Sequence, residues 1–152
     1  MIINLLTIAI LAILLRWIAT DIILEHRKKK HFIYCVLLTM IITGAELGCF
    51  LTDNTIPENR LLCIVFNMLG FSLTPFVFLV ESNFGNSKKS ILYYVPPLIN
   101  LVMTVMSPYY GWIFLVGEDC SYHRGRFFSI YLIAFLYSVL FSMGKKLLAS
   151  RN

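Results

Sequence analysis

Three polar side chains stand inside long apolar stretches of this sequence and are the residues best suited to chemistry: Glu46, Asn67 and Asn100. A carboxylate or amide in such surroundings is costly unless it is paired, and it commonly marks a ligand or proton site. Each lies about two helical turns from the expected outer end of its helix, roughly 9 Å at helical rise. We therefore expect one hydrogen-bonded layer, which would either hold helices together or bind a signal or a proton.

A second set of candidate residues lies in the segment that follows Pro108. Trp112 has the amphipathic ring that anchors at a membrane interface, and Arg124 is the expected partner of an anionic group, with Tyr122 beside it. Cys120 and His123 supply only two of the four ligands that structural zinc needs, so we predict no metal site.

The cysteines and the known motifs do not indicate an enzyme. The four cysteines contain no C-x-x-C pair, unlike a zinc ribbon or a redox motif. Cys63 has two conceivable disulfide partners near the outer surface, Cys49 and Cys120, and free thiols are the other alternative. The H-E-x-x-H, G-x-S-x-G, P-loop and dinucleotide-binding motifs are absent from the sequence. We expect a chain without catalysis and without a cofactor.

Hydropathy predicts the elements that must position these residues. Of the 152 residues, 59% are hydrophobic and 14% are charged, and the mean hydropathy is +0.78, whereas soluble domains carry about 25% charged residues. A helix needs about 20 apolar residues to cross a bilayer. We predict an all-α, polytopic membrane helix bundle with about five crossings: residue 1 to between 15 and 24, 32–52, 61–80, 91 to about 107, and 127–143.

The cations predict how this bundle is oriented. Nine of the Lys and Arg residues fall in three segments that lie on one side: 25–31, 81–90 and 144–152. Three fall on the opposite side: Arg60, Arg124 and Arg126. Cytoplasmic loops collect cations, so we predict the N-terminus outside and the C-terminus inside, as an odd number of crossings requires.

A basic run precedes the second apolar stretch: Arg27, Lys28, Lys29 and Lys30. Cations beside an inner leaflet are attracted to anionic lipid by about 1 kcal/mol each. We expect this run to be an anchor to the inner leaflet of the lipid bilayer. It is too short and too confined to follow a phosphate backbone, so no nucleic acid is expected as a partner.

Glycine and proline positions predict packing and kinks. Gly44 and Gly48 have the G-x-x-x-G spacing that lets another backbone approach closely, either within the chain or in a homodimer. Pro75, Pro96 and Pro97 each remove a backbone donor, so we expect them to break or kink helices three and four in their inner halves.

Several short stretches carry a resemblance to a known class of protein. They are Gly111-Trp112-Ile113-Phe114, Tyr122-His123-Arg124-Gly125, the Pro96-Pro97 pair, the polar loop 81–90 and the basic exit Lys145-Lys146. In these the chain resembles the N-terminal multi-helix sensor regions of bacterial GGDEF-type diguanylate cyclases, and more distantly the seven-helix N-terminal regions of sensor histidine kinases. It departs from them in having five expected helices rather than seven and no GGDEF, EAL or kinase segment.

The resemblance implies a signal-input module. It implies a sensor bundle over residues 1–143 and the start of a cytoplasmic connector over 144–152, in a multi-pass protein of the bacterial cytoplasmic membrane. Such a module would pass a small-molecule or membrane cue through its last helix to an output domain, a diguanylate cyclase or else a histidine kinase. Two other interpretations stay open: a small transporter or partner subunit, and a membrane anchor without a ligand.

Overall fold

The structure, a computed structural model, describes residues 1–22, 24–52, 59–82 and 91–149. These residues are mostly helical, and the helices are α1 (Ile2–Thr20), α2 (His26–Thr52), α3 (Arg60–Ser82), α4 (Val95–Tyr110) and α5 (Phe128–Ala149), with a 3-10 turn at Ile91–Tyr94 before α4. Three of them, α1, α2 and α3, are long and apolar enough to cross a membrane. The predicted all-helical class is therefore confirmed as a mostly helical fold with three helices that could span a membrane, whereas the five crossings and their orientation stay predictions.

Several predicted boundaries need correction. The helix α2 begins at His26, so the basic run forms its first turns instead of preceding it. The helix α5 continues to Ala149, past the predicted end at residue 143. The loop cations at 83–90 and Arg151 lie outside the described residues.

Helix α3 is the centre of the bundle, because it packs against α2, α4 and α5, whereas α1 packs mainly against α2. The outward faces of the helices are apolar and exposed, as expected for helices that contact hydrocarbon. Small and polar side chains instead fill the interior at helical spacing, on α4 and on α5: Asn100, Thr104, Ser107, Ala134, Ser138 and Ser142. Such residues let two helices approach closely.

A short β-hairpin follows α4, although the sequence analysis expected only an aromatic segment there. Its strands are β1 (Phe114–Val116) and β2 (Tyr122–Arg124), which pair antiparallel. The hairpin packs onto α3, because Ile113, Phe114, Val116 and Cys120 form one buried cluster with Cys63 of that helix. Arg60 Nη2 also donates to Val116 O at 3.3 Å.

The helix α4 ends one turn later than predicted. It continues through Pro108 to Tyr110 and ends at Gly111, whose φ of +63° is left-handed. Glycine adopts this conformation without steric cost, so it provides the helix stop that was assigned to Pro108. Ser107 then connects the helix to the hairpin, because its backbone O accepts from Gly111 N at 2.7 Å and its Oγ accepts from Ile113 N at 2.8 Å.

The prolines act differently from one another. Pro96 and Pro97 lie in the first turn of α4 and do not break it, because the first helical N–H groups have no partner within a helix anyway. Pro75 lies inside α3, where it leaves the carbonyl of Phe71, four residues earlier, without its helical donor. Asn100 Nδ2 of α4 donates to that carbonyl at 2.8 Å.

This hydrogen bond yields the first testable prediction. Asn100→Ala should lower the free energy of unfolding by about 1–3 kcal/mol, because a buried carbonyl then has no donor. In a Pro75→Ala background residue 75 supplies its own N–H, so the same Asn100→Ala substitution should cost clearly less. Thermal unfolding of the four proteins of this double-mutant cycle in detergent gives the coupling. If Asn100→Ala lowered the free energy of unfolding equally in both backgrounds, the coupling between Asn100 and Pro75 would be contradicted.

Candidate functional site

A cleft of about 420 Å³ opens beside the N-terminal half of α3, and we call it the outer cleft. Its lining comes from four elements, α2, α3, the hairpin and α5, which contribute Glu46, Cys49, Phe50, Cys63, Phe66, Asn67, Gly70, Phe71, Thr74, Cys120, Tyr122, Arg124, Phe128 and Tyr131. Since α2 and α5 both pack on α3, they form opposite walls of a cleft that has α3 as its floor. The hairpin covers the end of the cleft that lies nearest the start of α3.

The ring of Phe71 contacts several of the elements that line this cleft. Its ring centroid lies 5.8 Å from that of Phe114 and 5.9 Å from that of Tyr122 on the hairpin. On α5 it lies 5.9 Å from Phe128 and 4.9 Å from Tyr131, both edge to face. Aromatic pairs at such distances add about 0.5–1.5 kcal/mol beyond burial. The floor, the cover and one wall of the outer cleft therefore meet on one side chain.

Two opposite charges line the outer cleft, Glu46 on α2 and Arg124 on the hairpin. Both residues are exposed, and no ion pair joins them. The guanidinium carbon of Arg124 lies 5.1 Å from the centroid of the Phe128 ring, a cation–π contact. Within the part of the chain that the structure describes, Glu46 has no hydrogen-bond or ion-pair partner. The cleft thus presents a carboxylate and a guanidinium to an occupant.

The structure brings together some of the predicted polar residues but not all of them. Asn67 lines the cleft with Glu46, and its Nδ2 donates to Cys63 O in its own helix at 2.8 Å. Asn100 is fully buried behind the floor, where it bonds Phe71 O. The expected hydrogen-bonded cluster of Glu46, Asn67 and Asn100 is therefore wrong, because each amide donates to a backbone carbonyl instead.

The exterior candidates also divide between two places. Tyr122 and Arg124 line the cleft, whereas Trp112 stacks on Tyr110 with a centroid distance of 5.1 Å and lies outside it. Burial raises the pKa of the Tyr122 phenol, and Arg124 opposes that shift. The phenol therefore keeps its proton over the physiological range and can donate a hydrogen bond into the cleft.

The two glycines of the G-x-x-x-G pair have different surroundings. A Cβ on Gly48 would lie 2.6 Å from the ring of Phe66, so this glycine permits close packing of α2 on α3 beside the cleft. A Cβ on Gly44 would meet nothing within 4 Å.

The basic run lies at the opposite end of α2 from the outer cleft. Lys28 forms an ion pair of 3.3 Å with Glu25, and Lys29 Nζ donates to Asp21 O at 3.0 Å. Lys30 is exposed, and the side chain of Arg27 lies outside what the structure describes. Neither contact involves a cleft residue.

The three cysteines that the sequence left open as disulfide partners line the cleft. Cys49, Cys63 and Cys120 come from α2, α3 and the hairpin, and none of them forms a disulfide. Cys63 Sγ donates to Thr52 O at 3.3 Å. Among the described residues, no group of three or more His, Cys, Asp or Glu side chains is arranged to hold a metal ion. The three thiols lie on separate elements, so the distance between them depends on the tertiary packing.

The hairpin turn contains the residue types of a hydrolytic triad without its geometry. Ser121 Oγ donates to Asp119 Oδ1 at 2.6 Å, while His123 Nε2 lies 3.1 Å from the same Oγ. In a working triad the imidazole lies between the hydroxyl and the carboxylate and accepts the hydroxyl proton. Here the carboxylate accepts the hydrogen bond of the hydroxyl directly, and Ser121 N also donates to Asp119 Oδ1 at 3.1 Å. The arrangement stabilises a turn.

A pH dependence of the hairpin follows. Hydrogen bonds from the Ser121 hydroxyl and then from its backbone N–H lower the pKa of Asp119 below its ordinary value of 3.8. A carboxyl whose pKa is lowered by folding stabilises the fold above its ordinary pKa, and this contribution is lost as the pH falls through the folded value. Asp119→Asn should therefore speed hydrogen exchange of residues 112–127 at neutral pH.

The difference between Asp119→Asn and wild type should shrink as the pH falls below 3.8. The matched control is Glu118→Gln, which neutralises the exposed neighbouring carboxylate and should leave exchange unchanged. Hydrogen exchange followed by mass spectrometry, compared between variants at each pH, measures both effects. Equal exchange in all three proteins at neutral pH would contradict the role of Asp119.

Comparison with known proteins does not add an assignment to this geometry. No family model, curated protein or solved structure matches the chain.

Proposed function

We propose that the chain is a membrane-embedded signal-input module in which a molecule bound in the outer cleft changes the packing of α5. The observation that carries this proposal is the composition of the cleft lining. An occupant would contact α2, α3, the hairpin and α5 at once, because all four contribute side chains to the same space. A ligand that binds two bundle arrangements with different affinity shifts the equilibrium between them.

Helix α5 is the element suited to pass the change on. Its first turns contribute Phe128 and Tyr131 to the cleft, and it then continues as one helix to Ala149. A continuous helix moves as a rigid element, and shifts of about 1–2 Å are typical of helices that transmit signals. A displacement at one end of α5 can therefore be transmitted to the other end.

The proposal includes a membrane orientation. The three long helices, α4 and α5 would make five crossings, with the N-terminus outside and the C-terminus inside, as the cation distribution favours. The outer cleft then faces the exterior half of a bacterial cytoplasmic membrane, and α5 ends on the cytoplasmic side. The output would be a diguanylate cyclase, or else a histidine kinase, as the sequence resemblance implies. A small transporter or partner subunit is the alternative.

Filling the cleft without a ligand tests the coupling. Gly70 lines the cleft on α3, and a Cβ there would meet nothing within 4 Å. Gly70→Leu should therefore mimic an occupant, and spin labels on keto amino acids at Tyr34 and Leu147, both exposed, should show a distance change of about 1–2 Å or more. Electron–electron resonance in nanodiscs measures that distance.

The matched control is Gly44→Leu, which also gives a helical glycine with free Cβ space a larger side chain, but outside the cleft. It should leave the distance unchanged. If the two variants move the labels equally, or neither moves them, the cleft is not coupled to α5. Uptake of a solute by reconstituted protein with an unmoved α5 would favour the transporter.

A further inference from the structure

We propose that the outer cleft binds a small zwitterion with an aromatic or apolar body, whose ammonium pairs with Glu46 and whose carboxylate pairs with Arg124. This inference rests on the proposed function, since it names the class of cue. The two charged residues line one cavity, and neither forms an ion pair with any residue that the structure describes. A ligand that carries both charges satisfies both residues.

The surroundings of Glu46 favour a cation. Phe50, Phe66 and Tyr131 line the same space, and aromatic faces attract ammonium groups by about 0.5–2 kcal/mol. Asn67 adds an amide whose nitrogen is already bonded to Cys63 O, which leaves its Oδ1 as an acceptor. A carboxylate at membrane depth normally faces a polar cavity and has a partner. A bound ammonium would supply the partner that Glu46 lacks among the described residues.

The surroundings of Arg124 favour an anion. The cation–π contact with Phe128 holds the guanidinium plane without using its N–H groups, so its paired donors remain suited to a carboxylate. The neighbouring Tyr122 phenol keeps its proton, since burial raises its pKa, and it can donate to the same anion. The body of the ligand would lie on the Phe71 ring of the floor.

The size and the order of the charges indicate a small molecule and not a phospholipid. The volume of about 420 Å³ lies at the lower end of small-molecule sites, roughly 300–1,000 Å³. Glu46 lies six residues before the end of α2 at Thr52, about 9 Å deep, whereas Arg124 belongs to the hairpin that covers the cleft. An outer-leaflet aminophospholipid has its ammonium outside its phosphate, the reverse of this order.

Binding to the full chain in nanodiscs tests the proposal. The probes are radiolabelled phenylalanine, tryptophan and the phenylalanine dipeptide, together with phenethylamine and phenylpropanoate, which carry only the positive or only the negative charge. At least one zwitterion should bind saturably, and the two one-charge analogues about tenfold or more weakly, because each loses a charged hydrogen bond.

Substitutions that remove one charge from the protein test which residue binds which charge of the ligand. Glu46→Gln should weaken the zwitterion about tenfold and leave phenylpropanoate unaffected, whereas Arg124→Gln should weaken the zwitterion and spare phenethylamine. The unaffected analogue also shows that each variant is folded. The matched controls are Glu118→Gln and Arg126→Gln, which neutralise exposed exterior charges outside the cleft and should bind like wild type.

Three results would overturn the proposal: no zwitterion binds, a one-charge analogue binds as tightly as the zwitterion, or the control variants weaken binding as much as the cleft variants. A failure of the ligand assignment can be distinguished from a failure of the signal-input proposal. If Gly70→Leu moves α5 but no zwitterion binds, the class of ligand is wrong. If a zwitterion binds but α5 does not move, the site is correct and the signalling proposal fails.

Discussion

The backbone carbonyl of Phe71 has no helical donor, because the residue four positions later is Pro75, and Asn100 of the neighbouring helix supplies one at 2.8 Å. A neighbouring helix is one of the partners that satisfy such a freed carbonyl in helices that cross a membrane. The hydrogen bond therefore ties α4 to α3 at one height. The ring of the same Phe71 contacts both the hairpin and α5. Through its carbonyl and its ring, Phe71 therefore connects α4, the hairpin and α5 to the floor of the outer cleft.

The types of residue inside the bundle and on its surface follow from what each set of side chains contacts. Apolar side chains gain little by leaving hydrocarbon for a protein interior, so helix association depends on close packing and hydrogen bonds. Fully buried Ser107 and Ser138 fit that demand, because both are small and their hydroxyls donate to Met103 O at 2.9 Å and to Ala134 O at 2.8 Å within their own helices. Two of the charged side chains that the structure describes, Glu46 and Arg124, line the cleft.

Much of the helical framework could be predicted from the sequence, because long apolar runs have few alternatives in a bilayer. The ends were less predictable: Gly111 ends α4, although Pro108 gave the stronger local signal. The hairpin was missed because strands of three residues are too short for alternation to show, and its stability comes from the buried cluster on α3.

The candidate site was predictable only in part. Four residues were chosen from the sequence because each stands out by type or position, and all four line one cleft: Glu46, Asn67, Tyr122 and Arg124. The amides of Asn67 and Asn100 were expected to bond other side chains, but each donates to a backbone carbonyl. The carbonyl that Asn100 reaches belongs to another helix, α3, so this bond could not be predicted without knowing how α4 packs on α3. The convergence of three cysteines likewise depends on tertiary packing.

Cysteine accessibility tests most directly whether the outer cleft is open to the exterior. Cys49 lines it, whereas Cys35 lies on the same helix closer to the basic run, and both are half-buried. A membrane-impermeant maleimide, applied to intact cells and followed by peptide mass spectrometry, should label Cys49 and spare Cys35. Labelling of Cys35 alone, or of neither cysteine, would contradict an outward-facing cleft.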